Sequence, residues 1–191
     1  MASKKQKTSY ASKLKEDPDL SSPLHDEIQM WAMKNKTALY SKLLDMTMTT
    51  TDLEWFDDGA KADWVKSLSC QVEYPVKSRL VSGGFGKSIV GFMDVVLHSG
   101  DIVNTKRFSM KDGHYLGFGP EMYTPFSFFI EIKSKITSFG EIMRELQFYD
   151  THLVGLPKNH IVLLAPSIPF ADMIREQGFT VLEYKADLFE V

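Results

Sequence analysis

Five successive apolar residues, Ile161-Val162-Leu163-Leu164-Ala165, constrain this chain more than any other stretch. A strand with one face in water alternates apolar and polar side chains, so an unbroken run of this length is expected of a strand buried on both faces. Helices are then needed on both sides of the sheet. Ser138, with Glu141 three residues on, forms a capping box that opens a helix to about Thr151, with Ile142, Leu146 and Tyr149 on one side. A short helix over Phe170–Gln177 ends at Gly178, and Phe179–Tyr184 is the last strand.

Three strands are expected earlier: Val72–Val76, with Pro75 marking an edge position, then Ser88–Leu97 and Phe126–Lys133. Ser22-Pro23 opens the first helix as cap and first helical residue, with Asp26 and Glu27 in the first turn and Leu24, Ile28 and Trp31 on one face. Residues 37–66 read as largely helical, interrupted near Thr47–Thr51 and turned at Asp57-Asp58-Gly59. Residues 99–125 form a long connection with a short hairpin around Lys111-Asp112-Gly113. The order predicts an α/β fold: a mixed β-sheet flanked by helices, its third strand parallel to its fourth through a crossover.

With 191 residues, 43% of them hydrophobic, the chain suits one domain over residues 21–191 behind a flexible arm at 1–20. That arm carries Lys4, Lys5, Lys7, Lys13 and Lys15, with no acid in the first fifteen residues. No apolar run is long enough to span a membrane, and the N-terminus lacks the apolar region of a secretory signal. Cys70 stands alone, so no internal disulfide is expected. A cytoplasmic location, or one associated with nucleoid or viral DNA, follows, rather than secretion. The net charge of −3 means that any nucleic acid must be met by local positive charge.

The chemistry concentrates in Phe128-Phe129-Ile130-Glu131-Ile132-Lys133. Residues two apart on a strand share a face, so Glu131 and Lys133 point one way while Ile130 and Ile132 anchor the other. Asp94 interrupts a second apolar strand between Met93 and Val95. Charges at such places are costly to bury without partners, and broken patterns mark functional sites. Side by side, Asp94 and Glu131 can hold a hard divalent cation, with the Ile132 carbonyl as a further ligand and waters completing the shell of Mg²⁺. Lys133 beside them can orient a water or stabilise developing negative charge. The plainer alternative is a structural salt bridge between Asp94 and Lys133.

Gly91-Phe92-Met93-Asp94 followed by Ile130-Glu131-Ile132-Lys133 resembles the PD-(D/E)xK nuclease superfamily, which includes restriction-endonuclease-like and Holliday-resolvase-like enzymes. The resemblance implies an αβββαβ core and a Mg²⁺-dependent nuclease, with Mn²⁺ able to substitute, acting on nucleic acid and most readily DNA. It makes Asp94, Glu131 and Lys133 catalytic, and Asp94, Glu131 and Ile132 metal ligands. An acid on the first core helix would add a ligand, and Glu27 occupies that placement. Met93 replaces the family's proline. On the helix after the lysine, Glu145 stands where members carry a glutamine four residues before Tyr149, while Gln147 lies on another face. Arg144, Glu145 and Tyr149 are thus supporting candidates. Cutting both strands of a duplex would call for a homodimer. The alternative is a non-catalytic nucleic-acid-binding or interaction module that retains the fold.

Other signals point nowhere further. Gly83-Gly84-Phe85-Gly86-Lys87-Ser88 has neither P-loop spacing nor a following helix, so it reads as a turn. The histidines lack zinc-ligand spacing, and His25, near Glu27 on the first helix, reads as an exposed residue in preference to a group supporting the site. Tyr115, Phe118, Tyr123, Phe126 and Phe128 read as core aromatics.

Overall fold

The structure, a computed structural model, describes residues 22–48, 65–77, 89–100, 127–153 and 159–189, and only the backbone at 102–103 and 122–123. Helices α1 (Pro23–Lys34) and α2 (Lys36–Thr47) come first, followed by strands β1 (Ser69–Lys77) and β2 (Ile89–His98). After the short pair β3 (Ile102–Val103) and β4 (Met122–Tyr123), the order is β5 (Ser127–Ile132), α3 (Phe139–Leu153), β6 (Asn159–Ala165), α4 (Ala171–Glu176) and β7 (Thr180–Glu183). The basic arm, the turns at 57–59 and 82–88, the hairpin at 111–113 and the aromatics Tyr115, Phe118 and Phe126 lie outside the described residues.

The main sheet is mixed, in the order β1-β2-β5-β6-β7. β1, β2 and β5 are antiparallel, whereas β5, β6 and β7 are parallel. The expected crossover is α3, which carries the chain from the end of β5 back to the start of β6. Pro75 sits in β1 at the outer edge of the sheet, where a missing N–H costs no ladder bond on the open side.

Helices cover both faces, and β6 explains why its sequence never alternates. Val162 and Leu164 pack with α1 and α2, while Ile161, Leu163 and Ala165 pack with α3 and α4. In β5, Phe128, Ile130 and Ile132 take the first face and Phe129 the second. The chain after β7 closes over α1: Trp31 meets the Tyr184 ring edge-on at 5.2 Å and stacks on Phe189 at 5.4 Å. Its indole N–H donates to the Ala186 carbonyl. Among the described residues no helix is long and apolar enough to cross a membrane.

Ser22 caps α1 through its backbone carbonyl, which accepts from the amides of His25 and Asp26; its side chain makes no capping bond. Ser138 does act as the expected cap, accepting from the Glu141 amide at 3.4 Å.

β2 changes phase at Asp94. Met93 belongs to the α3 side of the core, yet Val95, two residues on, belongs to the α1 side. On the edge strand the pairs Val72↔Val95 and Tyr74↔Met93 hold, but Glu73 between them drops out of register with Asp94 and takes φ +48°. A left-handed conformation costs an L-residue about 1–2 kcal/mol, against which glycine's greater chain entropy weighs about 0.5–1 kcal/mol. Because Glu73 is exposed, Glu73→Gly is expected to raise unfolding stability by about 0.5–1 kcal/mol in urea titration.

Candidate functional site

β2 and β5 run paired from His98↔Ser127 to Val95↔Ile130 and then part. Into the opening goes the Asp94 side chain, whose Oδ2 accepts from the Ile132 amide at 2.6 Å. A carboxylate thereby replaces a ladder acceptor, which is why β2 loses its phase here. The Lys133 amide donates to Leu164 of β6 at 3.0 Å, so the backbone of residue 132 faces the opposite side, towards β2. The Ile132 carbonyl therefore shares the side on which Asp94 sits.

Glu131 and Lys133 follow the two-residue period and point to the α3 side. Lys133 Nζ lies 2.9 Å from Glu131 Oε1 and 3.0 Å from Glu145 Oε1. It makes no recorded pair with Asp94, so the plain salt bridge considered from sequence is not the one formed. All three central side chains are buried: Asp94 at 7%, Glu131 at 4% and Lys133 at 9% exposure.

Charge is unbalanced in this small space. Asp94, Glu131 and Glu145 bring carboxyl groups, whereas Lys133 brings one ammonium. Burial, and next the Asp94 carboxylate, push the Glu131 carboxyl well above its ordinary value; Glu145 adds to the shift and Lys133 opposes it. Burial works against the Lys133 ammonium, but Glu131 and Glu145 outweigh it and hold the group firmly protonated. Glu131 Oε2 is buried without a hydrogen-bond donor. Buried carboxylate oxygens are normally satisfied, and the Glu131 carboxyl also shares a side-chain hydrogen bond with Glu145, which raises it further.

Supporting residues arrive from both helical layers. Tyr149 donates to the Phe92 carbonyl at 2.9 Å, and burial, then the charges of Glu131 and Glu145, keep its phenol protonated. Gly91 leaves room for that ring, since a Cβ there would lie 3.2 Å from Tyr149 Cε1. From α1, Gln29 donates to the Asp94 carbonyl at 3.1 Å, and His25 Nε2 lies 3.3 Å from Asp94 Oδ1.

His25 is a correction to the sequence reading: it is 4% exposed, not a surface residue. Its signal was its spacing, because residues 25, 28 and 32 lie on one helical face, and Ile28 and Ala32 are core. Gln29, one turn after His25, reaches the same aspartate. Glu27 is not brought to this group; it is exposed, and its Oε1 accepts from Tyr184 at 2.9 Å. Two residues along a helix from His25, it points to a different side. Arg144 is exposed on α3, whereas Glu145 joins the site directly through Lys133.

Among the described residues, no group of three or more His, Cys, Asp or Glu side chains is arranged to hold a metal ion. What the site offers is two buried carboxyl groups, a backbone carbonyl on the Asp94 side and an ammonium against Glu131. Comparison with protein families, curated proteins and solved structures finds no match for the chain.

Proposed function

We propose that this chain is a Mg²⁺-dependent nuclease of the PD-(D/E)xK type that hydrolyses phosphodiester bonds in nucleic acid, with DNA the expected substrate. One observation carries the reading. Asp94 and Glu131, from neighbouring strands that part where they meet, bring two buried carboxyl groups close enough for the Asp94 charge to raise the Glu131 carboxyl; Lys133 stands against Glu131, whose Oε2 has no donor. Three carboxyl groups gathered around one ammonium, with Glu131 raised well above its ordinary value, fit a cation that takes the place of a proton. Two carboxylates also suit Mg²⁺, which keeps several waters rather than demanding a full protein cage. The order helix, three antiparallel strands, helix, parallel strand is compatible with the restriction-endonuclease-like core that the motifs imply.

The cation, when bound, would acidify a water and offset charge on the phosphate. The residues of the chain do the rest. The Ile132 amide and His25 fix the Asp94 carboxylate, so it enters the reaction preorganised. Gln29 and Tyr149 brace the β2 backbone on either side of it. Lys133 is held charged, and its bonds to Glu131 and Glu145 use two of its three N–H donors; among the described residues the third has no partner and can meet a phosphate oxygen or the attacking water.

A second reading, a nucleic-acid-binding module without cleavage, has one observation in its favour. Glu145 stands in place of the glutamine and takes one of the lysine's bonds. Incubating the full chain with labelled single-stranded, duplex and branched DNA decides between the two. Cleavage in Mg²⁺ or Mn²⁺ that stops with EDTA is expected. Intact DNA with metal bound would favour the binding module.

The raised Glu131 carboxyl fixes the sign of a pH effect. A cation must displace the proton that the buried group retains, so metal affinity falls as pH drops through its raised value. Mn²⁺ affinity measured by calorimetry is expected to tighten by up to about tenfold per pH unit while Glu131 is protonated, and to level off above that range.

A further inference from the structure

Glu131 and Lys133 are buried, so a phosphate can reach them only where the surface opens. A cavity of about 450 Å³ opens onto Lys133 and Glu145. Cavities of about 300–1,000 Å³ hold one small-molecule-sized ligand. A single nucleotide is of that size; a base pair with both its backbones is not.

We propose that this cavity seats one unpaired nucleotide of the strand being cut, with its phosphate towards Lys133. The site then takes nucleic acid that is single-stranded at the point of cleavage. This inference rests on the nucleic-acid reading above and narrows its substrate class.

The walls supply what each part of a nucleotide needs. Lys133 and Lys135 bring positive charge, and Ser134, Thr137 and Ser138, with Ser22 from the start of α1, bring hydroxyls for sugar and phosphate oxygens. Ile136 and Ile142 give an apolar surface for a base. Glu141 and Glu145 can accept from exocyclic amino groups. These two glutamates are four residues apart on α3, Glu141 at the helix start capped by Ser138 and Glu145 held by Lys133, so both acceptors are fixed on the wall.

Thr137 is exposed at the rim, so a bulky replacement fills the cavity without entering the core. The test uses the full chain in Ca²⁺. Fluorescence anisotropy follows a labelled single-stranded oligonucleotide and the same sequence as a hairpin-closed duplex. The single strand is expected to bind at least about tenfold more tightly, the scale of one stacked base. Thr137→Leu, which fills the wall without offering a ring for a base to stack on, should lose about tenfold of that affinity, while Mn²⁺ binding stays equal to the parent's. Equal binding of the two DNA forms, or parent-like single-strand binding by Thr137→Leu, would overturn the assignment. If the single strand binds as stated but stays uncut in Mn²⁺, the cavity assignment stands and the nuclease reading falls.

Discussion

Lys133→Ala is expected to lower the free energy of unfolding by about 3–5 kcal/mol, read from urea titration at neutral pH. Among the described residues the ammonium is the only side-chain cation paired with Glu131 and Glu145, at 2.9 and 3.0 Å, and it sits in a nearly dry space. Removing one partner of a buried ion pair leaves the other unpaired or forces it to take up a proton, and that cost, more than the lost attraction, sets the size of the effect. Glu131 already lacks a donor on one oxygen and feels Asp94. Without Lys133 no cation among the described residues pairs with it. Adding Glu131→Gln to the same chain removes the stranded group and should recover part of the loss. A drop of under about 1 kcal/mol for Lys133→Ala would mean that water reaches these groups freely.

Glu131→Gln should separate function from folding. Under the proposed mechanism it removes a metal-binding oxygen and is expected to cut metal-dependent cleavage on the order of a thousandfold. Stability should stay within about 1 kcal/mol of the parent, because the change also removes a buried carboxylate that Asp94 and Glu145 repel. The two variants thus have opposite signatures: Lys133→Ala loses fold stability and activity together, Glu131→Gln activity alone. Equal cleavage rates for Glu131→Gln and the parent would remove Glu131 from the reaction.

Much of this arrangement was legible in the residues. The unbroken run 161–165 announced a strand covered on both faces, and Val162 and Leu163 do face opposite helical layers. The period of two in β5 separated Glu131 and Lys133 from Ile130 and Ile132. Asp94 betrayed itself by interrupting an apolar strand. What the sequence hid were choices made by tertiary packing. Whether a first-helix residue faces the site depends on how α1 docks, and a rotation by two residues exchanges Glu27 for His25. The Glu73 conformation was equally hidden, since nothing in Val72-Glu73-Tyr74 encodes a left-handed turn of the chain. It arises opposite the place where β2 shifts phase to send Asp94 between the strands. Lys133 bound to Glu145 instead of Asp94 likewise follows from α3 lying over the end of β5, a distance no spacing rule supplies.

The most direct test is a Mn²⁺ titration of the full chain, followed by calorimetry and by the loss of the free-ion paramagnetic resonance signal, in parallel with Asp94→Asn and Glu131→Gln. One ion bound per chain in the parent, and none in either variant at the same concentration, is the predicted result. A parent that binds no Mn²⁺, or variants that bind it undiminished, would contradict a cation held between these two carboxylates.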